Sequence, residues 1–153
     1  MVRFYGTVSA KLDDKGRLVF PAIFRDAMTR AGESDMTLVI KPGVHQDCLD
    51  LFTLEEWARR SDQELSRLDP ELNPDHAAFW SKFNDKVFYV VPDERFGRLN
   101  IPSELLEQTG ITKDVVFAAV GYKIEIWARE RREAALLSDE AFKRSAIRLS
   151  ENK

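Results

Sequence analysis

The sequence predicts an α+β protein made of two related halves, and three observations support that prediction. First, the block Gly-Arg-Leu-Val-Phe-Pro at residues 16–21 returns as Gly-Arg-Leu-Asn-Ile-Pro at residues 97–102, with four identical positions. Second, each block leads into a segment typical of a helix, with Pro before its start and Gly just past its end. Third, two short apolar segments typical of strands follow each helix. Because the same order of signals recurs, duplication explains it better than chance.

Both halves are expected to follow the order strand, loop, strand, helix, strand, strand, helix. The repeated block is the second strand, and period-2 alternation places its Leu side chains inward and its Arg side chains outward. In the first half the remaining elements are expected at 3–12 (strand), 22–31 (helix), and 37–41 and 48–52 (strands, joined by a loop over 42–47). In the second half they are expected at 86–91 (strand), 103–109 (helix), and 115–120 and 123–127 (strands, joined by a Gly-Tyr turn).

Further helices are expected between the halves and at the C-terminus. Residues 53–56 form a Thr-x-x-Glu capping box, which marks the start of a helix. Pro70 and Pro74 separate this helix from a second one over 75–84. Ser138 can cap a last amphipathic helix through about Leu149, whose apolar face packs on its own chain or on a neighbour. The predicted division is therefore 3–53 and 86–130 for the two halves, 54–85 for the helical connector and 131–153 for the C-terminal helix.

The charge of the chain is unevenly distributed. The net charge of −3 gives no general attraction to nucleic acid. Residues 1–30, however, carry +3, whereas residues 53–77 carry −4. A site for a polyanion must therefore be local, and we expect the acidic connector to face away from it.

Motifs for catalysis or metal binding do not emerge from the sequence. The two His residues and the single Cys do not form a ligand-spaced cluster, and there is no phosphate-binding Gly-rich loop or nucleophile elbow. We therefore expect no enzymatic activity, metal or cofactor. Alternation pairs Cys48 with Asp50 on one strand face, so Cys48 is expected to be a small strand residue. The lone Cys, the absence of a leader-like start and the lack of an apolar run of about 20 residues favour the cytoplasm.

Several ordered motifs resemble those of the bacterial MraZ family of transcriptional regulators. They are Phe-Tyr-Gly-Thr at 4–7, the long block at 12–25, Cys-Leu-Asp-Leu-Phe at 48–52 with Glu-Trp at 56–57, the second Gly-Arg-Leu block, and Ile-Glu-Ile-Trp at 124–127. Together they span about residues 3–130, and their order and spacing make the resemblance specific.

The resemblance implies a fold and a function. The fold is two pseudo-symmetric AbrB-like (SpoVT-AbrB, swapped-hairpin) β-barrel halves in one chain, with peripheral helices, assembled into a ring-like homo-oligomer. The function is transcription regulation through repeated operator sites in double-stranded DNA, upstream of the division and cell-wall gene cluster that contains the protein's own gene. The expected location is the cytoplasm, at the nucleoid, with no membrane partner and no small-molecule substrate.

The family's Asp-x-x-x-Arg element for DNA binding falls on one segment of each half. Arginine is suited to reading guanine because its guanidinium fork can pair with O6 and N7 together, whereas a lysine or a second arginine can hold phosphate. On these chemical grounds we expect Arg17 and Arg98 to read guanine edges. We expect Lys15 and Arg95 to hold the DNA backbone, and Asp13 to orient Arg17. The expected DNA-binding residues are Asp13, Lys15, Gly16 and Arg17 in the first half, and Glu94, Arg95 and Arg98 in the second.

Two alternatives stay open at this point. One is an AbrB-like antitoxin that binds a protein toxin through its C-terminal region. The other is a structural oligomer without a nucleic-acid role, in which both arginines only form salt bridges with acids such as Asp13 or Glu94. A steep dependence of DNA affinity on salt would separate a regulator from a structural oligomer.

Overall fold

The computed structural model describes residues 1–45 and 47–152. Within this part the strands and helices follow one another in the order that the repeat predicts. The strands are β1 (Thr7–Lys11), β2 (Arg17–Val19), β3 (Leu38–Pro42), β4 (Leu49–Thr53), β5 (Phe88–Val90), β6 (Arg98–Asn100), β7 (Asp114–Ala119) and β8 (Ile124–Ala128). The helices are α1 (Ala22–Arg30), α2 (Leu54–Leu65), α3 (Pro74–Phe83), α4 (Ser103–Thr109), α5 (Arg129–Ala135) and α6 (Asp139–Glu151).

The two halves exchange strands. Six strands form an antiparallel sheet in the order β1-β7-β8-β4-β3-β5, and β2 pairs with β6 in a second, two-stranded sheet. The first strand of each half pairs with the hairpin of the other half, β1 with β7 and β5 with β3. The hairpins themselves meet at the centre, where β4 pairs with β8. This confirms the expected α+β architecture with two pseudo-symmetric, swapped-hairpin halves.

The core lies between the two sheets. Leu18 of β2 and Leu99 of β6 are fully buried and face it, as alternation predicted. The ring of Phe24, on α1, packs edge-on against the ring of Phe4. Its centre lies 6.4 Å from the centre of the Phe117 ring. Burying an aromatic or Leu side chain typically contributes about 1.5–3 kcal/mol, so this shared core holds the two halves together.

A charged cluster marks the centre of the six-stranded sheet, on the face away from the core. The register of β4 and β8 places Asp50 opposite Glu125, where the pseudo-two-fold axis crosses the sheet. The ammonium of Lys123 lies 2.8 Å from the carboxylate of Asp50 and 3.7 Å from that of Glu125. The indole N–H of Trp127 donates to Glu125 at 3.0 Å. The opposite charges and the hydrogen bonds offset the cost of burying these groups.

Cys48 lies beside this cluster and is buried. Burial raises the pKa of its thiol, and the neighbouring carboxylate of Asp50 raises it further. A thiol with a raised pKa carries little thiolate, the nucleophilic form, at neutral pH. Cys48 is thus a buried small residue as expected, but it lies directly before β4 and not within it. Cys48, Asp50 and Glu125 offer ligand atoms within 4.8 Å of one another, but the ammonium of Lys123 already forms ion pairs with both carboxylates.

Several expected bounds differ from the structure. The first strand of each half is shorter than 3–12 and 86–91, because pairing covers only Thr7–Lys11 and Phe88–Val90. The short helix α5 was not predicted. Thr53 caps α2 and Ser138 caps α6, as expected. The loop over 42–47 and the segment 131–153 include Gln46 and Lys153, which lie outside the described residues. No helix in the described part is long and apolar enough to cross a membrane.

Candidate nucleic-acid interface

The β2–β6 ribbon places the two repeated arginines side by side. In its antiparallel register Arg17 lies opposite Asn100, and Val19 lies opposite Arg98. These four side chains alternate with buried leucines and therefore face away from the core. Diagonal positions on such a ribbon are about 7–8 Å apart, which brings Arg17 and Arg98 close together on one outward face. The expected outward placement of both arginines is confirmed.

The loop before β2 is closed around the carboxylate of Asp13. One oxygen accepts hydrogen bonds from the backbone N–H groups of Lys15 and Arg17, both at 2.9 Å. The other oxygen accepts from Nε of Arg17 at 2.8 Å. This contact engages Nε, so the two terminal nitrogens that form the bidentate fork lie outside the ion pair. Asp13 thus fixes the orientation of Arg17 while the fork stays available to another partner.

The loop before β6 repeats this arrangement around a different residue from the one expected. Asp93 accepts from the backbone N–H of Phe96 at 2.7 Å, and from Nε of Arg98 at 2.9 Å. The expectation that Glu94 corresponds to Asp13 is wrong, because Glu94 is exposed and Asp93 takes that place. The second loop is one residue longer than the first, so counting back four residues from Arg98 reaches the wrong acid.

Both carboxylates are held in the charged form. Partial burial would raise the pKa of Asp13, but the hydrogen bonds from Arg17 and Lys15 outweigh it and lower that pKa below its usual value. The hydrogen bond from the Phe96 N–H, followed by that from the Arg98 side chain, lowers the pKa of Asp93 to about 2. Each aspartate therefore stays charged through the neutral range and keeps its arginine in place.

The glycine before each arginine has a positive φ, and at Gly97 it also allows the close approach of a neighbour. Gly97 has a φ of +67°, and a Cβ there would collide with the guanidinium of Arg25. Gly16 has a φ of +77°, and a Cβ there would lie 3.5 Å from a methyl carbon of Leu106. Arg25 therefore adds a positive charge beside the second loop, where the first loop has an apolar neighbour.

The other expected residues lie at the tips of the two loops. Lys15 and Arg95 are exposed, and the guanidinium of Arg95 lies 5.0 Å from the ring centre of Phe96. The acidic connector lies on the far side of the six-stranded sheet. Trp57 of α2 packs at 5.5 Å against Phe52, which alternates with core-facing Leu51. Within one chain the acidic segment is therefore separated from the arginines, as expected.

Sequence reasoning missed three residues of this surface. Asp93 could have been found by aligning the two loops on their aspartates instead of counting back from the arginine. Phe96 could have been flagged as the residue directly before the glycine, where the first loop has Lys15. Arg25 gave no signal, because its approach to Gly97 joins residues that are far apart in sequence.

A family model supplies the decisive comparison. The model for the MraZ protein, which the family description likens to antitoxins, matches residues 3–73 and 90–148. The chain belongs to the MraZ family. Each matched segment contains one of the two aspartate–arginine loops, so both loops lie within the part that the MraZ model covers.

Relatives with the name "Transcriptional regulator MraZ" match most of the chain. The protein of Bacteroides fragilis is 39% identical over 142 residues, which is 93% of this chain and 87% of the relative. That of Bacteroides thetaiotaomicron is 37% identical, over 93% of this chain and 88% of its own. That of Salinispora arenicola is 34% identical, over 90% and 89%.

Proposed function

We propose that this MraZ-family protein regulates transcription by binding double-stranded DNA sequence-specifically through the β2–β6 ribbon. Its relatives are named transcriptional regulators, a class of protein that is not an enzyme. The main support is a structural feature. Two arginines, each oriented by its own aspartate, lie on the outward face of one two-stranded ribbon. The major groove of B-DNA admits such a ribbon.

The proposed roles follow from the chemistry of each side chain. Arg17 and Arg98 read guanine edges, because each guanidinium keeps its terminal nitrogens outside the bond to aspartate. Lys15 and Arg95 bind phosphate from the exposed loop tips. Asp13 and Asp93 orient the arginines and do not touch the DNA, because a carboxylate repels phosphate.

We also propose that several copies assemble and bind repeated sites together. The resemblance to the family supports a ring-like homo-oligomer at operators upstream of the division and cell-wall gene cluster, at the nucleoid. The C-terminal helix α6 supports association, because Phe142, Ile147 and Leu149 on it are all exposed. Adjacent copies on adjacent sites gain affinity through effective concentration, by about 10²–10⁴-fold, which offsets the negative net charge.

The exposed helix α6 also favours a second candidate function, that of an antitoxin. An exposed amphipathic helix can bind the groove of a partner protein, as in an antitoxin that binds its toxin. Co-purification of a small protein with the full chain, lost when residues 138–153 are removed, would favour this function over self-association.

The proposed function is tested by fluorescence anisotropy with a duplex from upstream of the protein's own operon and a scrambled duplex, over a series of salt concentrations. The wild type is expected to prefer the native duplex, with an affinity that falls steeply with salt. Arg17→Ala and Arg98→Ala should each reduce that preference by about 1–3 kcal/mol.

Arg67→Ala is the matched control, because it removes the same charge from the connector on the other side of the sheet. All variants must keep the circular dichroism and the oligomeric mass of the wild type. A wild type that shows no preference at any salt concentration would contradict the proposed function, and the structural oligomer or the antitoxin would then be favoured.

A further inference from the structure

The two aspartate–arginine loops share one framework but differ at one position. In the first loop the N–H of Lys15 donates to Oδ1 of Asp13, and in the second the N–H of Phe96 donates to Oδ1 of Asp93. Phe96 therefore stands in the second loop where Lys15 stands in the first. An apolar ring replaces an ammonium at the same place on the proposed DNA-binding surface.

The ring of Phe96 is exposed but held in place. Its exposed fraction is 52%, and its backbone N–H is fixed by the 2.7 Å bond to Asp93. The guanidinium of Arg98 lies 4.7 Å from the ring centre, and that of Arg95 lies 5.0 Å from it. A single exposed apolar side chain is common on protein surfaces. This one is distinguished by its contact with the arginine that we assign to guanine reading.

We infer that Phe96 determines specificity by contacting the methyl group of a thymine next to the base pair that Arg98 reads. The inference rests on the proposed function and deepens it. Among the groups that base pairs present in the major groove, the thymine C5-methyl is the apolar one, and Phe is among the residues that contact it. Since the ring touches the Arg98 guanidinium, both side chains reach neighbouring base pairs at once.

The consequence is that the two halves of one chain read different half-sites. The first loop presents Arg17 with Lys15, which binds phosphate and carries no sequence information. The second loop presents Arg98 with Phe96, which adds a preference for thymine. The pseudo-symmetric ribbon therefore binds an asymmetric site in one orientation only.

The test replaces each thymine of the bound duplex in turn by deoxyuridine, which lacks only the methyl group. For the wild type, replacement of one thymine beside a guanine in each repeat should weaken binding about fourfold. This is the change in affinity that corresponds to the burial of one methyl group. For Phe96→Ala the same replacement should have no effect, and the affinity for the unmodified duplex should fall about five- to tenfold.

Two further variants separate apolar contact from charge. Phe96→Ala should leave the slope of affinity against salt unchanged, whereas Lys15→Ala should lower its magnitude by about one. Phe96→Lys should raise the magnitude of the slope by about one and abolish the sensitivity to deoxyuridine. Phe96→Leu should keep part of that sensitivity, because it retains an apolar group.

Each contrary outcome has a distinct meaning. If the wild type prefers its operator and Phe96→Ala responds to every deoxyuridine as the wild type does, the inference is wrong and the proposed function stands. If Phe96→Ala changes the oligomeric mass at unchanged circular dichroism, Phe96 belongs to an interface between copies and the inference is wrong. If the wild type binds no DNA specifically, both fail.

Discussion

The orientation of each ribbon arginine depends on one carboxylate from its own loop. Asp13→Asn and Asp93→Asn remove the negative charge that holds Nε of the arginine. We expect the ratio of native to scrambled affinity to fall about tenfold, close to the free energy that one hydrogen bond to a charged group contributes. Non-specific affinity should not fall, because a negative charge near DNA has been removed. Both affinities are measured by fluorescence anisotropy at several salt concentrations.

Glu94 provides a matched control for the second loop. Glu94→Gln removes the same charge from the neighbouring position, where the acid is exposed and Asp93 holds Arg98 instead. Its specificity ratio should equal that of the wild type. Equal losses in Glu94→Gln and Asp93→Asn would show that general electrostatics, and not the fixed guanidinium, set the specificity.

The lowered pKa of Asp93 predicts a dependence of stability on acid pH. A carboxyl group whose pKa is lower in the folded than in the unfolded protein stabilises the fold above its unfolded pKa, and that stabilisation is lost as the pH falls through the folded pKa. Here the range runs from the ordinary value of 3.8 down to about 2. The difference in unfolding free energy between wild type and Asp93→Asn should be constant above about pH 5 and shrink toward pH 2. Urea unfolding at several pH values measures it, and a constant difference down to pH 2 would exclude the ion pair in solution.

At the scale of the elements, the β4–β8 pairing depends on the charged cluster at its centre. Burial alone would lower the pKa of Lys123, but the nearby carboxylate of Asp50 raises it, so the ammonium keeps its charge. Lys123→Met should cost about 3–5 kcal/mol of unfolding free energy, because it removes the ion-pair partner of the buried Asp50 carboxylate. Asp50→Asn should cost less, because Glu125 still faces the ammonium of Lys123 at 3.7 Å. The double variant Asp50→Asn with Lys123→Met should lose less than the sum of the two single losses. Thermal and denaturant unfolding measure these costs, and simple additivity would show that the pair does not interact.

The elements themselves could largely be predicted from local sequence patterns. Pro21 and Pro102 before the helices, and the alternation around Leu18 and Leu99, are signals carried by neighbouring residues, so the corresponding bounds agree closely. The pairing of β1 with β7 could come only from the family resemblance, because it joins residues about a hundred positions apart. The acid of the second loop was misassigned because one extra residue shifts the count while the fold keeps the hydrogen bonds.

At the scale of the whole molecule, the exchanged strands make each half depend on the other. A dimer of first halves would place two Asp50 side chains opposite each other at the axis, with Cys48 standing where the second half has Lys123. We therefore expect residues 1–85 and 86–153, expressed separately, to stay largely unfolded, and their mixture to form a folded one-to-one complex. Circular dichroism and size-exclusion chromatography test this, and a stable, folded first half by itself would contradict it.

The exchange of strands also sets when the protein can fold during its synthesis. Strand β1 ends at residue 11, but its partner in the sheet, β7, begins at residue 114. A ribosome adding about 5–20 residues per second needs roughly 5–20 s to make the chain between them. Throughout that time the hairpin of β3 and β4 lacks the strand β5 that pairs with it and the shared core that packs on it. Final closure of the sheet must therefore follow translation of nearly the whole chain, and until then its unpaired apolar strands are open to aggregation.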